Sequence, residues 1–276
     1  MSYVRTRLGR WFYESHGSPK KQGDSTIVLC HGLLFDGAQW DGQVDALSAL
    51  GRVLVIDGPG HGRSDVPPPF SLDDHTRAFV DALDALGVDE LVMVGLSWGG
   101  MLAMHVALSP ASPRLRAMAL LDTSADAEGW KEAISHRLMV SFARRFGIPA
   151  QLVEKKIAPA MFCPKTLRTH PELVSEVTRR VNGYPRAGVA RAALAVIVER
   201  KSVLERLSSV TVPTLVLCGR EDTATVPARS EAIAARIPGA KLAWIEDSGH
   251  MSAIEQPEAV NAALVPFVRE HLAARV

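Results

Sequence analysis

The sequence feature that most constrains this chain is a short apolar run that ends in a glycine-rich turn around one serine. Residues 91–100 read Leu-Val-Met-Val-Gly-Leu-Ser-Trp-Gly-Gly. The four apolar residues that open the run, two of them β-branched, predict a strand that is buried on both faces. The apolar spacing of residues 101–108 predicts a helix directly behind it. Ser97 therefore lies at a strand-to-helix turn.

The residues around this serine match the pattern Gly-x-Ser-x-Gly. In that pattern a sharp turn strains the serine backbone and exposes the hydroxyl, while the flanking glycines keep Cβ atoms out of the way. The five-residue pattern by itself occurs by chance in many proteins. Its purely structural interpretation is a tight turn that needs small residues. The strand before Ser97 and the helix after it favour a nucleophile.

The rest of the chain alternates between strand and helix patterns. Short apolar runs predict further strands at residues 26–30, 52–57, 117–121, 214–218 and 241–245. Helical periodicity lies between them, as at residues 71–86, where Ser71 is the expected N-cap. This alternation predicts an α/β fold with a mostly parallel central sheet and helices on both faces.

One long segment breaks the alternation. From about Ser124 to Ser208 the sequence predicts only helices, among them residues 130–146, 171–181 and 188–207. We therefore expect a core domain of residues 1–123 and 209–276, with a helical cap, or lid, of residues 124–208 inserted before the last two strands.

The loops after the strands contain the partners that a serine nucleophile needs. In a parallel sheet, ligands collect outside the carboxyl ends of the strands. A serine hydroxyl needs a histidine base, and a carboxylate must hold that histidine in the correct tautomer. Of nine histidines, His31, His61 and His250 fall in such loops, and only His250 follows the serine and a suitable acid. His31 and His61 lie next to glycines in turns, and we interpret them as structural.

Two aspartates compete for the role of the acid. Asp222 ends the loop after the penultimate strand, where Gly219 turns the chain sharply. Asp122 ends the strand before the helical segment, where a carboxylate has an ordinary role in capping the next segment. We choose Asp222 and keep Asp122 as the rival position.

A carbonyl that is attacked by Ser97 also needs two N–H donors for its oxyanion. The backbone N–H groups of Trp98 and Leu33 are the expected donors, because Gly32 lets the Leu33 peptide approach the serine. Apolar residues in the loops and in the cap predict a mostly apolar substrate pocket, although core packing is the more common role for any one of them. These residues are Leu34, Phe35, Trp130, Met139, Met161, Phe162 and Met251.

Taken together, these segments resemble the α/β-hydrolase superfamily over nearly the whole chain. The resemblance is carried by His31-Gly32-Leu33, the glycine-rich loop 57–64, the turn at Ser97, the loop 219–222 and Gly249-His250. The chain is most similar to capped carboxylesterases and 3-oxoadipate enol-lactonase-like hydrolases. It departs from them at Trp98, where methionine is common, and at His31, which the enol-lactonases usually lack, so the substrate does not carry over.

The predicted function is that of a serine hydrolase that cleaves carboxylic esters or lactones of small, mostly apolar substrates through an acyl-enzyme on Ser97. One alternative is an acyltransferase or perhydrolase that uses the same acyl-enzyme. Another is a slow-turnover small-molecule receptor of the same fold. We expect no organic cofactor and no metal, and a serine where related enzymes carry aspartate argues against dehalogenase or epoxide hydrolase chemistry.

The composition of the chain limits the classes of binding partner and the cellular compartment that we expect. The chain has 31 basic and 30 acidic residues, a net charge of +1 and no charged block. We therefore expect a small-molecule partner, and neither nucleic acid nor a membrane. No apolar run reaches membrane-spanning length, which predicts a cytoplasmic protein. The three cysteines are far apart and predict buried free thiols. The sequence does not predict an oligomeric state.

Overall fold

The apolar runs of the sequence form one eight-stranded sheet in the computed structural model, which describes residues 2–19 and 24–272. The strands are β1 Ser2–Thr6, β2 Gly9–His16, β3 Thr26–Cys30, β4 Val53–Ile56, β5 Leu91–Leu96, β6 Leu115–Leu121, β7 Thr214–Gly219 and β8 Lys241–Ile245. Their order across the sheet is β1-β2-β4-β3-β5-β6-β7-β8. Strand β2 pairs antiparallel with β1 and β4, and the pairs from β4 to β8 are parallel. The predicted mostly parallel sheet is confirmed.

Helices cover both faces of this sheet. The α-helices of the described residues are α1 Asp41–Ser48, α2 Leu72–Ala85, α3 Trp98–Ala107, α4 Trp130–Phe146, α5 Ala150–Leu152, α6 Ala158–Met161, α7 Pro164–Thr169, α8 Glu172–Gly183, α9 Arg186–Ala193, α10 Pro227–Arg236, α11 Ser252–Glu255 and α12 Pro257–His271. Side chains alternate across β5, so Met93 packs in the apolar cluster with α2 and α3, whereas Val92 and Val94 pack in the cluster with α12. Burial on both faces explains why β5 is apolar throughout and why β3 is apolar after Thr26.

The segment between β6 and β7 is helical, and within the described residues it contains no strand. Helix α4 has the predicted bounds. The helical stretch expected over residues 188–207 is divided, because α9 ends at Ala193, a π-helical turn covers Leu194–Val198, and a 3-10 helix covers Leu204–Ser209. We call residues 124–208 the insert. Its status as a separate cap domain stays a prediction.

The insert contacts the loops at the carboxyl edge of the sheet. Arg180 of α8 forms an ion pair with Asp36 in the loop after β3. Gly188 of α9 lies against Gly60 in the loop after β4, since a Cβ built on Gly188 would be 2.7 Å from the Gly60 Cα. The N–H of Met251, after β8, donates to the carbonyl of Met161 at 3.1 Å. The insert therefore lies over the edge at which Ser97 emerges.

None of the helices in residues 2–19 and 24–272 combines the length and the apolar composition that crossing a lipid bilayer would require.

The close approach of α9 to the loop after β4 can be tested by adding one methyl group. Gly188→Ala places a Cβ within 2.9 Å of the carbonyl oxygen of Gly60, so the backbones must move apart. We expect the free energy of unfolding to fall by about 1–3 kcal/mol. Gly183→Ala is the matched control, because its Cβ would meet nothing within 4 Å. Thermal denaturation that gave the two variants equal midpoints would contradict this packing.

Candidate active site

Ser97 lies in a one-residue turn between β5 and α3, with φ 52° and ψ −109°. Helix α3 begins at Trp98, three residues earlier than the apolar spacing indicated, so Ser97 lies directly at its N-terminus. A Cβ on Gly95 would be 2.2 Å from the carbonyl carbon of Gly99, and a Cβ on Gly99 would be 2.0 Å from the carbonyl oxygen of Cys30. The two glycines of the pattern are therefore required by backbone contact, and the strand, turn and helix expected here are present.

Backbone strain is concentrated at the same edge of the sheet. Among the described residues, four that are not glycine have positive φ: Leu34, Ser97, Asp122 and Asp247. Each follows one of the parallel strands at its carboxyl end. Such conformations cost energy and cluster at functional sites, so they mark this edge as the functional one.

His250, in the loop after β8, is hydrogen-bonded to Asp222. Its Nδ1 lies 2.9 Å from Oδ2 of Asp222. A carboxylate only accepts, so Nδ1 carries the proton and Nε2 is left as an acceptor. Thr225 supports the pair, because its hydroxyl donates to the same carboxylate oxygen at 2.8 Å and its N–H donates to Oδ1 at 2.9 Å. Sequence analysis missed Thr225, although a threonine three residues after an aspartate in a turn is a recognisable local motif.

The pKa values of the pair follow from burial and mutual attraction. Burial by itself lowers the pKa of His250, but the charge of Asp222 and its hydrogen bond, together with the charges of Asp122 and Glu255, hold that pKa above its ordinary value. Burial raises the pKa of Asp222, and the charge of His250 together with the hydrogen bonds from His250 and Thr225 brings it below its ordinary value. The pair is therefore an ionised carboxylate beside an imidazole of increased basicity.

Ser97 is the one predicted member of the triad that is not hydrogen-bonded to the other two. Within residues 2–19 and 24–272, neither Oγ of Ser97 nor Nε2 of His250 has a hydrogen-bond partner, and neither is among the fully buried unpaired polar atoms. Both atoms therefore remain accessible. In the sheet, two strands, β6 and β7, lie between β5, which Ser97 follows, and β8, which His250 follows.

Asp122, the rival acid, has a different set of partners. Its Oδ1 accepts the N–H of Gly219 at 2.8 Å, and its Oδ2 accepts the N–H of Ser252 at 3.3 Å and contacts the Ser252 hydroxyl. It thus joins the end of β6 to β7 and to the start of α11. Burial, followed by repulsion from Asp222, raises the pKa of Asp122 to about 8.

Three of the buried groups at this edge have the spacing of metal ligands. One ligand atom each of Asp122, Cys218 and Asp222 lies within 4.8 Å of the others. Burial raises the pKa of the Cys218 thiol to about 12, which disfavours the thiolate that metals bind. Both carboxylates are already used in hydrogen bonds, so we assign no metal here.

The two groups expected to donate to the oxyanion are the backbone amides of Leu33 and Trp98. In the part of the chain that the structure describes, the N–H groups of Leu33 and Trp98 have no protein acceptor. The loop that carries Leu33 passes next to the serine, since a Cβ on Gly32 would be 3.5 Å from the Ser97 Cβ. Gln39 holds this loop by accepting the Gly32 N–H at 2.9 Å. Nothing in the sequence singled out Gln39.

His31 and His61 hydrogen-bond to loop backbone, as expected for structural residues. The Nε2 of His31 accepts the N–H of Gly58 at 2.7 Å, and the Nε2 of His61 accepts the N–H of Leu34 at 3.2 Å. Burial lowers the pKa of both rings, to about 3 for His61. The Trp98 side chain packs against both rings inside the core, so only its backbone faces the site.

The seven residues predicted for the substrate pocket separate into two groups. Five are buried or half-buried in the insert itself or in the loops beneath it; these are Leu34, Phe35, Met161, Phe162 and Met251. Trp130 and Met139 of α4 are 71% and 47% exposed. The expectation is wrong for these two, because side chains exposed to this degree do not line an enclosed pocket.

The inner surface of the insert is formed by residues that sequence analysis did not select. Val140 of α4 packs with Ala190 and Ala193 of α9, and Leu33 packs against this cluster. Apolar side chains therefore lie over the loop that carries one predicted oxyanion donor. Their signal in the sequence, apolar residues at helical spacing, is the same as that of ordinary core.

A separate cavity of about 250 Å³ lies where α8 meets the loop before α1. Phe35 and Phe162 line it, and Gln39 connects it to the Gly32 peptide. Neither Ser97 nor His250 lines this cavity, so we place the reacting groups outside it.

The chain is similar to known proteins over most of its length. The sequence profile of the Alpha/beta hydrolase family matches residues 27–263. The chain is similar to 3-oxoadipate enol-lactonase 1 of Acinetobacter baylyi, with 28% identity over 88% of each chain. It is 29% identical to the putative carbamate hydrolase RutD of Caulobacter segnis, over 93% of this chain and 95% of that one. The solved structure of a thermophilic esterase from Thermogutta terrifontis has a TM-score of 0.89 and 29% identity, over 99% of this chain and 100% of its own.

The electrostatic coupling of Asp222 and His250 can be tested by titration. Asp222→Asn removes the charge that raises the pKa of His250 and leaves the burial that lowers it. We therefore expect the pKa of His250 to fall below its ordinary value in the variant, as measured by NMR of the ring protons. His61 is the internal control, because its depressed pKa does not depend on Asp222. An unchanged His250 titration in the folded variant would contradict the coupling.

Proposed function

The chain belongs to the alpha/beta hydrolase family, and from this premise we propose that it hydrolyses carboxylic esters or lactones through an acyl-enzyme on Ser97. In this proposal His250 is the base and then the acid, and Asp222 orients it. The relatives named for esterase, lactonase and carbamate hydrolase reactions support a hydrolytic activity. The choice of ester or lactone is our inference from the site.

The Asp222–His250 hydrogen bond carries the proposal. It holds the proton on Nδ1, so Nε2 can take a proton from a hydroxyl on the accessible side of the ring. Ser97 offers such a hydroxyl in a strained turn on the same edge of the sheet. Catalytic hydrogen bonds are often long before substrate binds, which is consistent with a Ser97 hydroxyl that does not yet touch the imidazole.

The first half of the proposed reaction forms the acyl-enzyme. The Ser97 Oγ–H proton moves to Nε2 of His250 as Oγ bonds to the carbonyl carbon, and the carbonyl electron pair moves onto its oxygen. The N–H groups of Leu33 and Trp98 donate to that oxyanion, and one such donor is worth about 10²- to 10³-fold in rate. The proton on Nε2 then passes to the leaving oxygen as its bond to carbon breaks.

The second half repeats these steps with water. His250 takes a proton from a water molecule as the water oxygen attacks the acyl carbon. The tetrahedral intermediate collapses, and the proton on Nε2 returns to the Ser97 oxygen. The products are a carboxylic acid and free enzyme; in a lactone, acid and alcohol remain on one molecule.

The surfaces around these groups favour an uncharged, mostly apolar substrate. Val140, Ala190 and Ala193 lie above Leu33, and burying a charge against such side chains without a partner is costly. Phe162 and Met251 are buried on the side of the His250 loop. Apolar contacts of this kind select a substrate by size rather than by charge.

Removing the nucleophile tests the central claim. Ser97→Ala should lower the turnover of a short p-nitrophenyl ester by about 10⁶-fold, with an unchanged thermal midpoint. A fluorophosphonate should modify wild-type protein once, on the peptide that contains Ser97. Ser25→Ala is the matched control, since Ser25 is a buried serine at the opposite edge of the sheet. This variant should retain ester turnover and modification by the fluorophosphonate.

The same assays separate the alternative activities. Steady-state turnover to free acid supports a hydrolase, whereas one slow turnover per molecule would indicate a receptor. Product formation that required an added alcohol, thiol or peroxide would indicate acyl transfer. More than a few per cent of wild-type rate in folded Ser97→Ala would overturn the proposal.

The two aspartates provide a second test. Asp222→Asn favours the wrong tautomer of His250 and should lower turnover by about 10⁴-fold. Because the enzyme needs a neutral imidazole, kcat/KM rises with pH through the pKa of His250, and this acidic limb should move to lower pH in the variant. Asn at position 122 can still accept the Gly219 N–H through its amide oxygen and does not contact His250, so for Asp122→Asn we expect a loss of less than about tenfold. The reverse ordering of the two folded variants would assign the acid to Asp122.

A further inference from the structure

Helix α4 exposes an apolar stripe along its whole length. Six large apolar side chains of this helix are between 47% and 71% exposed: Trp130, Ile134, Leu138, Met139, Phe142 and Phe146. Five of them recur every fourth residue, so they form one continuous row that winds around the helix by about 40° at each step. The helix has 17 residues, which makes the stripe about 25 Å long. Patches of this size on a soluble protein mark interaction sites.

The middle of the stripe faces directly away from the rest of the protein. Val140 is the buried residue of α4, and Ala133 and Ala143 are half-buried on the same side of the helix. That side packs against α9. The side chains of the stripe lie on the opposite side and on the two flanks of the helix, where they stay exposed.

Basic side chains lie within the stripe and beside it. Helix α4 carries four basic residues and one acidic residue, although the whole chain has a net charge of only +1. Lys131 lies over the ring of Trp130 at 5.4 Å, and Arg145 lies over the ring of Phe146 at 5.3 Å. Each end of the apolar row therefore carries a cation.

This arrangement opposes pairing of α4 with α4 of a second copy. In an antiparallel pair centred on Leu138, Lys131 of one copy faces Arg145 of the other, because each is seven residues from the centre. A parallel pair places each cation against itself. Like charges at such close range are destabilising, whereas anionic headgroups would neutralise both cations while acyl chains cover the apolar row.

We propose that α4 is an interfacial helix that binds the insert to the surface of an anionic lipid membrane. The apolar row enters the boundary between headgroups and acyl chains, and Lys131 and Arg145 reach the lipid phosphates and carboxylates. The helix lies on the membrane and does not span it. The charge balance of the chain argued against a membrane partner, but it could not show that the cations and the apolar row share one exposed face.

The experiment measures binding of the full chain to vesicles. Vesicles of phosphatidylcholine with phosphatidylserine are compared with vesicles of phosphatidylcholine alone by co-sedimentation at low and at high salt. We expect binding to the anionic vesicles that weakens with salt, and much weaker binding to the neutral ones. Trp130 fluorescence should shift to shorter wavelength on binding, and Trp130→Phe should remove that shift.

Variants in the stripe separate the apolar and the electrostatic contributions. The double variant Lys131→Gln/Arg145→Gln should weaken binding to anionic vesicles by about 25-fold, or about fivefold for each charge. The double variant Leu138→Ser/Phe142→Ser should weaken it by at least about tenfold. Matched controls are Lys201→Gln and Val226→Ser, which change an exposed charge and an exposed apolar residue elsewhere; both should bind as wild type does.

Two results would overturn the proposal. One is absence of binding to either kind of vesicle. The other is a dimer in sedimentation velocity that Leu138→Ser/Phe142→Ser dissociates, with no vesicle binding, which would assign the stripe to a second copy. Catalysis is tested independently, because Ser97→Ala should bind vesicles as wild type does, and Leu138→Ser/Phe142→Ser should still hydrolyse a soluble ester.

Discussion

The close contact between the backbones of β5, α3 and β3 is the constraint on which the rest of the site depends. Gly95 and Gly99 touch each other, and Gly99 touches Cys30, at distances that leave no room for a side chain. This contact lets the chain pass from strand to helix through a single residue. Ser97 is held in that turn by its own backbone, since its N–H donates to Leu121 and its carbonyl accepts from Thr123.

Two neighbouring carboxyl groups at the carboxyl edge have pKa values that are shifted in opposite directions. Asp222 is stabilised as an anion by His250 and by the hydrogen bonds of its own turn. Asp122 is buried close to it, and burial together with the repulsion from Asp222 raises the pKa of Asp122. Asp222 therefore serves the imidazole, while Asp122 holds the ends of β6 and β7 together.

The insert has two faces with different surroundings. Its inner face places Val140 and α9 over the Leu33 loop, so it can shape a substrate without supplying any group that transfers a proton. The outer face of α4 is just as apolar but has no partner within the described residues of the chain. Selection of a substrate and attachment to a surface can therefore use opposite sides of one helix.

The sequence by itself determined the strands from β3 onward, the longer helices and the sharp turn at Ser97, because these depend on residues that are close together in the chain. It also indicated the loop residues His250, Asp222 and Asp122. Only the tertiary structure decided that Asp222 lies against His250 while Asp122 joins strand ends, that Thr225 and Gln39 support the site, and that Trp130 and Met139 face outward. Those outcomes depend on how distant segments pack, and a helix with apolar residues around much of its surface does not reveal from its sequence which face will be buried.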